Sequence, residues 1–299
     1  MNQPWVAVAV SAQDVSLKDL LAEAASASGA AQGAWTELAR GEPLYAGHLA
    51  LSADAASAAA LRARIEAAGV DLAVIPAARF GRKRVLISDM DSTIIGQECI
   101  DELADAVGLK PKIAEITERA MRGELDFEAA LTERVAMLKG LPLEALSRTL
   151  EERITLNPGA RTLIATMKAS GAETLLVSGG FTYFTARIAE LAGFAAHQGN
   201  TLLDDGAVLT GEVGQPILGR AAKRTALLEA AARLGAGPED SIALGDGAND
   251  LDMIRAAGLG IAYKAKPVVA AEAAGSIRHT DLTAALYFQG FKASELVPE

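Results

Sequence analysis

The chain has 299 residues, 51% of them hydrophobic, and a formal net charge of −10. That is enough apolar material for one large core or two smaller ones, with two or three domains as the expectation. No run of Lys and Arg is long enough to track a phosphate backbone, and no stretch approaches about 18 uninterrupted apolar residues, so neither nucleic acid nor a membrane span is expected. The single cysteine, Cys99, leaves no internal disulfide, and the opening M-N-Q-P-W-V-A-V-A-V has no basic leader, so a cytoplasmic protein is expected.

Residues 4 to 76 alternate two kinds of pattern. Trp5 to Val10 is an apolar run, Leu17 to Ala27 is amphipathic, and short apolar runs come next near Trp35 to Leu38 and Leu44 to Leu51. A second helical stretch, Ala56 to Ala67, is closed by Gly69, and Val70 to Ile75 reads as a last strand. The order βαββαβ is that of a small ferredoxin-like module, placed at residues 1–78. Pro76 and the basic residues Arg79, Arg82, Lys83 and Arg84 read as a linker.

From Val85 the units lengthen into strands each followed by a helix, the rhythm of an α/β domain with a parallel sheet. Strands are expected at Val85–Ser88, Thr174–Ser178, Ile242–Gly245 and Gly258–Ala262; helices at Pro158–Ser170, Thr182–Leu191, Arg220–Leu234 and Asp250–Ala256. This core takes residues 79–96 and 154–299. Between its two parts, residues 97–153 are charge-rich and helical without a strand pattern, and an insert directly after a strand end is placed to act as a lid. Leu202 to Val213 reads as a hairpin.

Val85 to Ile94 reads V-L-I-S-D-M-D-S-T-I, a buried strand running into two aspartates. Side chains two apart in extended chain point the same way, so Asp89 and Asp91 converge. Two further polar clusters, Ser178-Gly179-Gly180 and Gly245-Asp246-Gly247-Ala248-Asn249-Asp250, also sit at the carboxyl ends of expected strands. An aspartate with the usual pKa of roughly 3.9 is ionised at neutral pH without a helping base, so Asp89 suits nucleophilic attack at phosphorus. Asp89, Asp246 and the backbone carbonyl of Asp91 offer the hard oxygen ligands that Mg²⁺ prefers, and Asp250, one turn on, could hold a metal-bound water. Asp91, beside another carboxylate, should have a raised pKa and serve as acid and then base. Ser178 and the Gly179 amide at a helix start, together with Lys223, would bind phosphate oxygens.

Each cluster taken singly also reads as an ordinary turn, cap or solvated charge; their coincidence at strand ends favours chemistry. An EF-hand loop from Asp89 would need glycine at position six and glutamate at twelve, where Ile94 and Ile100 stand. A cysteine phosphatase needs arginine six residues after its nucleophile, and six after Cys99 is Asp105. His48, His197 and His279 are too few and too scattered for a histidine-rich metal centre, and no Gly-Lys pair exists for a P-loop.

D-M-D-S-T-I-I, S-G-G-F, Lys223 and G-D-G-A-N-D together resemble the four motifs of the haloacid dehalogenase superfamily. From about residue 84 to 289, through E-C-I-D-E-L-A, M-R-G-E-L-D-F-E-A-A-L-x-x-R-V and A-K-P, the chain is similar to the phosphoserine phosphatase family within it. The resemblance implies a Rossmann-like parallel-sheet core with a small helical cap inserted after the first strand. It also implies Mg²⁺-dependent hydrolysis of O-phosphoserine through a phospho-aspartyl intermediate, the last step of serine biosynthesis. Glu98 would receive the substrate ammonium and Arg134 its carboxylate, Phe127 would close the pocket, and Asn249 would join Ser178, Gly179 and Lys223 on the phosphate. Another small phosphomonoester such as phosphohomoserine, or an amino-acid sensor with a vestigial phosphatase fold, are the alternatives; intact Asp89, Asp91, Lys223 and Asp246 speak against the second. Residues 1–78 resemble ACT domains, but Ser11-Ala12-Gln13-Asp14 lacks the glycine such domains place there, so a structural or dimerising role, giving a homodimer, stands beside effector binding.

Overall fold

The computed structural model describes residues 2–41, 43–121 and 125–298. In chain order the elements begin with β1 (Gln3–Ser11), α1 (Leu17–Ala27), β2 (Ala31–Gly41), β3 (Leu44–Ala53), α2 (Ala55–Glu66), β4 (Asp71–Pro76) and β5 (Val85–Ser88). Four helices come next, α3 (Cys99–Ala106), α4 (Lys110–Met121), α5 (Phe127–Ala136) and α6 (Glu144–Arg153). The chain then forms α7 (Ala160–Ala169), β6 (Glu173–Phe181), α8 (Thr182–Ala192), β7 (Ala196–Asn200), β8 (Leu202–Asp204) and β9 (Leu209–Val213). It closes with α9 (Arg220–Arg233), β10 (Ser241–Gly245), α10 (Leu251–Ala256), β11 (Leu259–Tyr263), α11 (Pro267–Glu272), β12 (Gly275–Ile277) and α12 (Ala284–Tyr287). Arg122, Gly123 and Glu124, part of the M-R-G-E-L-D-F motif in the insert, lie outside the described residues.

The chain divides into two compact units. The first holds residues 1–87, 158–174 and 227–299, and its strands neighbour one another in the order β2-β3-β1-β4-β12-β11-β10-β5. The βαββαβ order is present, with β1 antiparallel to both β3 and β4. β10, β11 and β12 run parallel, while β4 meets β12 antiparallel, so the sheet is mixed. Leu21 of α1 and Leu61 and Ile65 of α2 are fully buried in one cluster with Ala7, Ala9, Leu49 and Leu51; this buried apolar face is the main force holding the module's helices to its strands. Asp54 starts α2 by accepting a hydrogen bond from the Ser57 amide at 2.8 Å, satisfying one of the free N–H groups of the first turn.

Several elements differ from the sequence reading. β2 is eleven residues long and bulged against β3, with register shifts at Gln32/Trp35 and Glu37/Ala39. Its outer half is exposed, so it carries no apolar alternation to read. β7 and β12 were not legible because A-H-Q-G-N is polar and G-S-I is short. The basic stretch before β5 is tied down rather than free. Lys83 is buried, donating to the Arg79 and Glu239 carbonyls at 2.6 and 2.9 Å, and desolvation lowers its pKa. Arg84 reaches the Leu234 carbonyl at 2.8 Å, and Arg82 pairs with Glu295 and lies over the Phe291 ring.

The second unit holds residues 88–157 and 175–226. β6 and β7 pair in parallel and β8 with β9 antiparallel. The helical insert is zipped at its base: Asn157 donates through its backbone to the Ile94 carbonyl and through its side chain to the Thr93 carbonyl, both at 2.8 Å, and Ile95 bridges Leu156. The hairpin docks on the loop between α5 and α6, where the Gly140, Leu209 and Leu143 amides donate to the Leu209, Leu141 and Ala207 carbonyls at 2.8 to 3.0 Å. Insert and hairpin therefore form one body.

Asp71, 1% exposed, fastens the first module to the turn after β12. Its Oδ1 accepts from the Arg278 and His279 amides at 2.7 and 3.0 Å, and its Oδ2 from the Thr280 amide at 2.8 Å and the Thr280 hydroxyl. Replacing a buried acceptor strands its donors. Asp71→Ala is expected to cost about 3 kcal/mol in urea unfolding; a change within about 0.5 kcal/mol, the range of an ordinary surface substitution, would show that these bonds carry no net stability.

Candidate active site

All four residues of β5, V-L-I-S, are buried, and the chain leaves the strand at Asp89. Asp89 Oδ1 accepts from the Met90 amide at 2.7 Å, and Oδ2 lies 2.6 Å from Nζ of Lys223 on α9. Both side chains are buried. A buried ion pair is costly to break from either side, because the survivor is left charged without a partner. Beyond Asp89 the amides of Thr93, Ile94 and Ile95 all point at the Met90 carbonyl, at 3.3, 2.9 and 3.0 Å, and Ser92 is held at φ 54°. A left-handed serine is a strained residue, held here by the turn around it.

That turn sets the Asp91 carboxyl against the S-G-G segment: a Cβ added to Gly180 would lie 2.9 Å from Asp91 Oδ2. The Cys99 amide donates to Asp91 Oδ1 at 3.2 Å. Desolvation, then repulsion from Glu98 and Asp89, raises the Asp91 pKa well above the ordinary aspartate value, more than the hydrogen bond from Cys99 can offset.

Ser178 and Gly179 lie within β6, not at a helix start, because the strand continues to Phe181 before α8 begins. The register against β7 shifts between Val177 and Phe181, so S-G-G is a bulge. The Gly180 amide donates to the buried Ser178 Oγ at 2.9 Å. Buried Asn200, which the sequence reading missed, grips this bulge: its Nδ2 donates to the Gly179 and Leu218 carbonyls at 2.8 and 3.2 Å, and its Oδ1 accepts from the Leu218 amide at 2.6 Å. It sits at the end of a polar strand that gives no sequence signal.

In G-D-G-A-N-D, buried Asp250 turns back so that its Oδ2 accepts from the Asp246 and Gly247 amides, each at 3.1 Å. Gly245 makes room for it: a Cβ there would lie 2.3 Å from Asp250 Cγ. Asn249 folds over Gly247, where an added Cβ would meet Asn249 Oδ1 at 2.3 Å. One carboxylate oxygen each from Asp89, Asp246 and Asp250 lie within 4.8 Å of one another.

The insert places four side chains here. Phe127 at the start of α5 packs on the bulge, its Cζ 3.0 Å from where a Gly179 Cβ would be, and its Cδ1 3.7 Å from the same position at Gly219. Arg134 is partly buried on α5; desolvation pulls its pKa down while Asp101, Glu98 and Asp91 act against that shift. Glu98, at the cap of α3, accepts from Ser92 Oγ at 2.7 Å. Asp101, absent from the sequence reading, has a pKa raised by desolvation, with Arg134 and Lys110 opposing. Asp91, Glu98 and Asp101 thus all act on one guanidinium.

The haloacid dehalogenase-like hydrolase family model matches residues 86–255, more than half of the chain. The chain belongs to that family. It is 48% identical over 199 residues to a phosphoserine phosphatase of Albidiferax ferrireducens, across 65% of this chain and 84% of that protein. A haloacid-dehalogenase-family hydrolase of Salmonella enterica serovar Typhi superposes with a TM-score of 0.86 at 32% identity, covering 95% of this chain and 98% of the other. A probable phosphoserine phosphatase from Vibrio cholerae gives 0.74 at 30% identity, covering 96% and 86%.

Haloacid dehalogenase-like phosphatases use a divalent metal, and the donor set here suits one. Asp89, Asp246 and Asp250 present carboxylate oxygen only, with no nitrogen or sulfur among them, the choice of a hard cation. Gly245→Ala is expected to push Asp250 aside and weaken divalent-metal binding at least tenfold by calorimetry, with an unchanged circular dichroism spectrum; a wild-type dissociation constant would mean that Asp250 is not needed there.

The raised Asp91 pKa also fixes a sign. A carboxyl whose pKa is higher folded than unfolded contributes fully below the unfolded value of about 3.9 and costs stability as pH rises through the folded value. In metal-free protein, Asp91→Asn is expected to raise the melting midpoint at pH 7 to 8, with the gain shrinking toward pH 4. No gain at any pH would remove the strain assigned to Asp91.

Proposed function

We propose that this enzyme is a phosphoserine phosphatase: it hydrolyses O-phospho-L-serine to L-serine and phosphate, the last step of serine biosynthesis. The observation that carries the reading is the pairing at 2.6 Å of Lys223 with buried Asp89, itself one of the carboxylate trio. The relatives named phosphoserine phosphatase lend it support. Mg²⁺, held by Asp89, Asp246 and the Asp91 carbonyl with Asp250 close by, would supply positive charge to the phosphate oxygens and to the crowded carboxylates.

Asp89 attacks phosphorus and the serine oxygen leaves, taking a proton from Asp91, whose raised pKa keeps one available. Asp91, now ionised, takes a proton from the water that splits the phospho-aspartyl bond. Lys223, Ser178, the Gly179 amide and Asn249 hold phosphate oxygens as charge spreads over them. Arg134 takes the substrate carboxylate, for which a planar guanidinium is suited, Glu98 takes the ammonium, and Phe127 covers the pocket. Residues 97–153 act as the cap, 79–96 and 154–299 as the catalytic core, and 1–78 as an ACT-like module. No described helix is long and apolar enough to cross a membrane, in keeping with a cytoplasmic enzyme whose partners are its small substrate and a second copy of itself.

The test is phosphate release from a panel of phosphomonoesters, with and without Mg²⁺. Asp89→Asn is expected to abolish turnover, and Asp91→Asn to slow it by about 10²- to 10⁴-fold. Arg134→Ala should raise KM for phosphoserine but not for phosphoethanolamine, which lacks the carboxylate. Turnover by Asp89→Asn would end the mechanism; unaltered phosphoserine KM in Arg134→Ala would end the substrate assignment alone.

A further inference from the structure

The A-K-P sequence after β11 has no part in the chemistry above, yet it touches the metal-binding loop. The Lys266 amide donates to the Asp246 carbonyl at 3.2 Å, while the Asp246 amide donates to Asp250. The backbone of Asp246 is thus held on both sides, and with it the direction of its carboxylate. Lys266 is itself placed by α11, which it caps: the Val269 and Ala270 amides return to the Lys266 carbonyl at 2.9 and 3.1 Å.

A six-residue helix cannot hold its own place in water, so what fixes α11 fixes Lys266. At its far end stands Arg62 of α2, in the amino-terminal module. Arg62 Nη2 donates to the Ala270 carbonyl at 2.7 Å, Nη1 donates to the Ala273 carbonyl, and Nε pairs with Glu66 at 2.9 Å. The Arg62 side chain is part-buried, 19% exposed. The last carbonyls of a helix have no partner within it and carry its negative end, so a part-buried cation there fits both in hydrogen bonding and in charge. The Val74 amide of β4 adds a bond to the Ala274 carbonyl at 3.1 Å. Both contacts come from the amino-terminal module.

We infer that Arg62 is a positioning residue for the metal site, acting through α11 and the Lys266 amide on Asp246. The amino-terminal module is then a part of the metal centre's support and not an appendage to it. The inference rests on the reading of Asp246 as a metal ligand.

The test uses full-length protein and titrates Mg²⁺ or Mn²⁺ by calorimetry without substrate, beside the melting midpoint and kcat at saturating metal. Arg62→Met, which keeps the aliphatic stem, is expected to raise the metal dissociation constant roughly tenfold, the low end for a residue supporting a metal ligand. Its kcat at saturating metal should stay within about twofold of wild type, a split that lost stability alone would not produce. Arg62→Lys, keeping a cation, should recover most of the affinity. Lys266→Pro removes the donating amide at a residue whose φ of −61° already suits proline, and should weaken binding in the same way. A folded Arg62→Met with wild-type affinity overturns the inference; should that variant fail to fold, wild-type affinity in Lys266→Pro does so. Asp246→Asn separates the two levels: if it binds metal normally the ligand reading falls, and if it alone loses metal only the role of Arg62 falls.

Discussion

The rest of the site depends on one buried ion pair, Asp89 with Lys223. Carboxylates crowded into a small volume repel one another and resist ionisation unless each is given a positive or donating partner. Asp89 has an ammonium and the Met90 amide; Asp250 has the Asp246 and Gly247 amides. Asp91 has one long bond from Cys99 and two acidic neighbours, and its pKa rises accordingly. Environment alone therefore gives identical side chains different electrostatic surroundings.

Close backbone approach is the second constraint. Gly245 and Gly180 stand where a methyl group would strike Asp250 and Asp91, so each glycine yields its space to a carboxylate. The bulge in β6 serves the same end. By dropping out of register with β7, Ser178 to Gly180 gain room to face Asp91 and Phe127, and Asn200 binds the freed Gly179 carbonyl. A buried carbonyl released from its ladder needs such a partner.

The helical insert and the hairpin, far apart in sequence, share hydrogen bonds from residues 140 to 143 and 207 to 209. The hairpin thus buttresses α5, which carries Phe127 and Arg134. The amino-terminal module is bound in a similar way to the segments after β11, through β4 against β12, Asp71 on the Arg278 to Thr280 amides, and Arg62 on α11. Its buried Asp71 carboxylate and part-buried Arg62 guanidinium bond mostly to backbone groups, a use that leaves no pattern along the chain.

Much was determined by local chemistry and so was legible in order. The apolar run V-L-I-S, the D-x-D after it, the βαββαβ alternation and the strand-free insert each derive from side-chain period and burial, which neighbours in sequence set between themselves. The cluster G-D-G-A-N-D could be placed at a strand end on the same grounds, whereas S-G-G, expected at one, lies inside β6. What only the tertiary structure decided involves partners remote in sequence: the bulge that carries Ser178 into β6, Asn200 beneath it, Asp101 beside Arg134, Lys83 buried in a stretch that reads as a linker, and the hold of Arg62 on α11. Side chains bonding to distant backbone have no periodicity, because every residue offers the same amide and carbonyl. Their pairing is fixed only when the sheet brings those groups together.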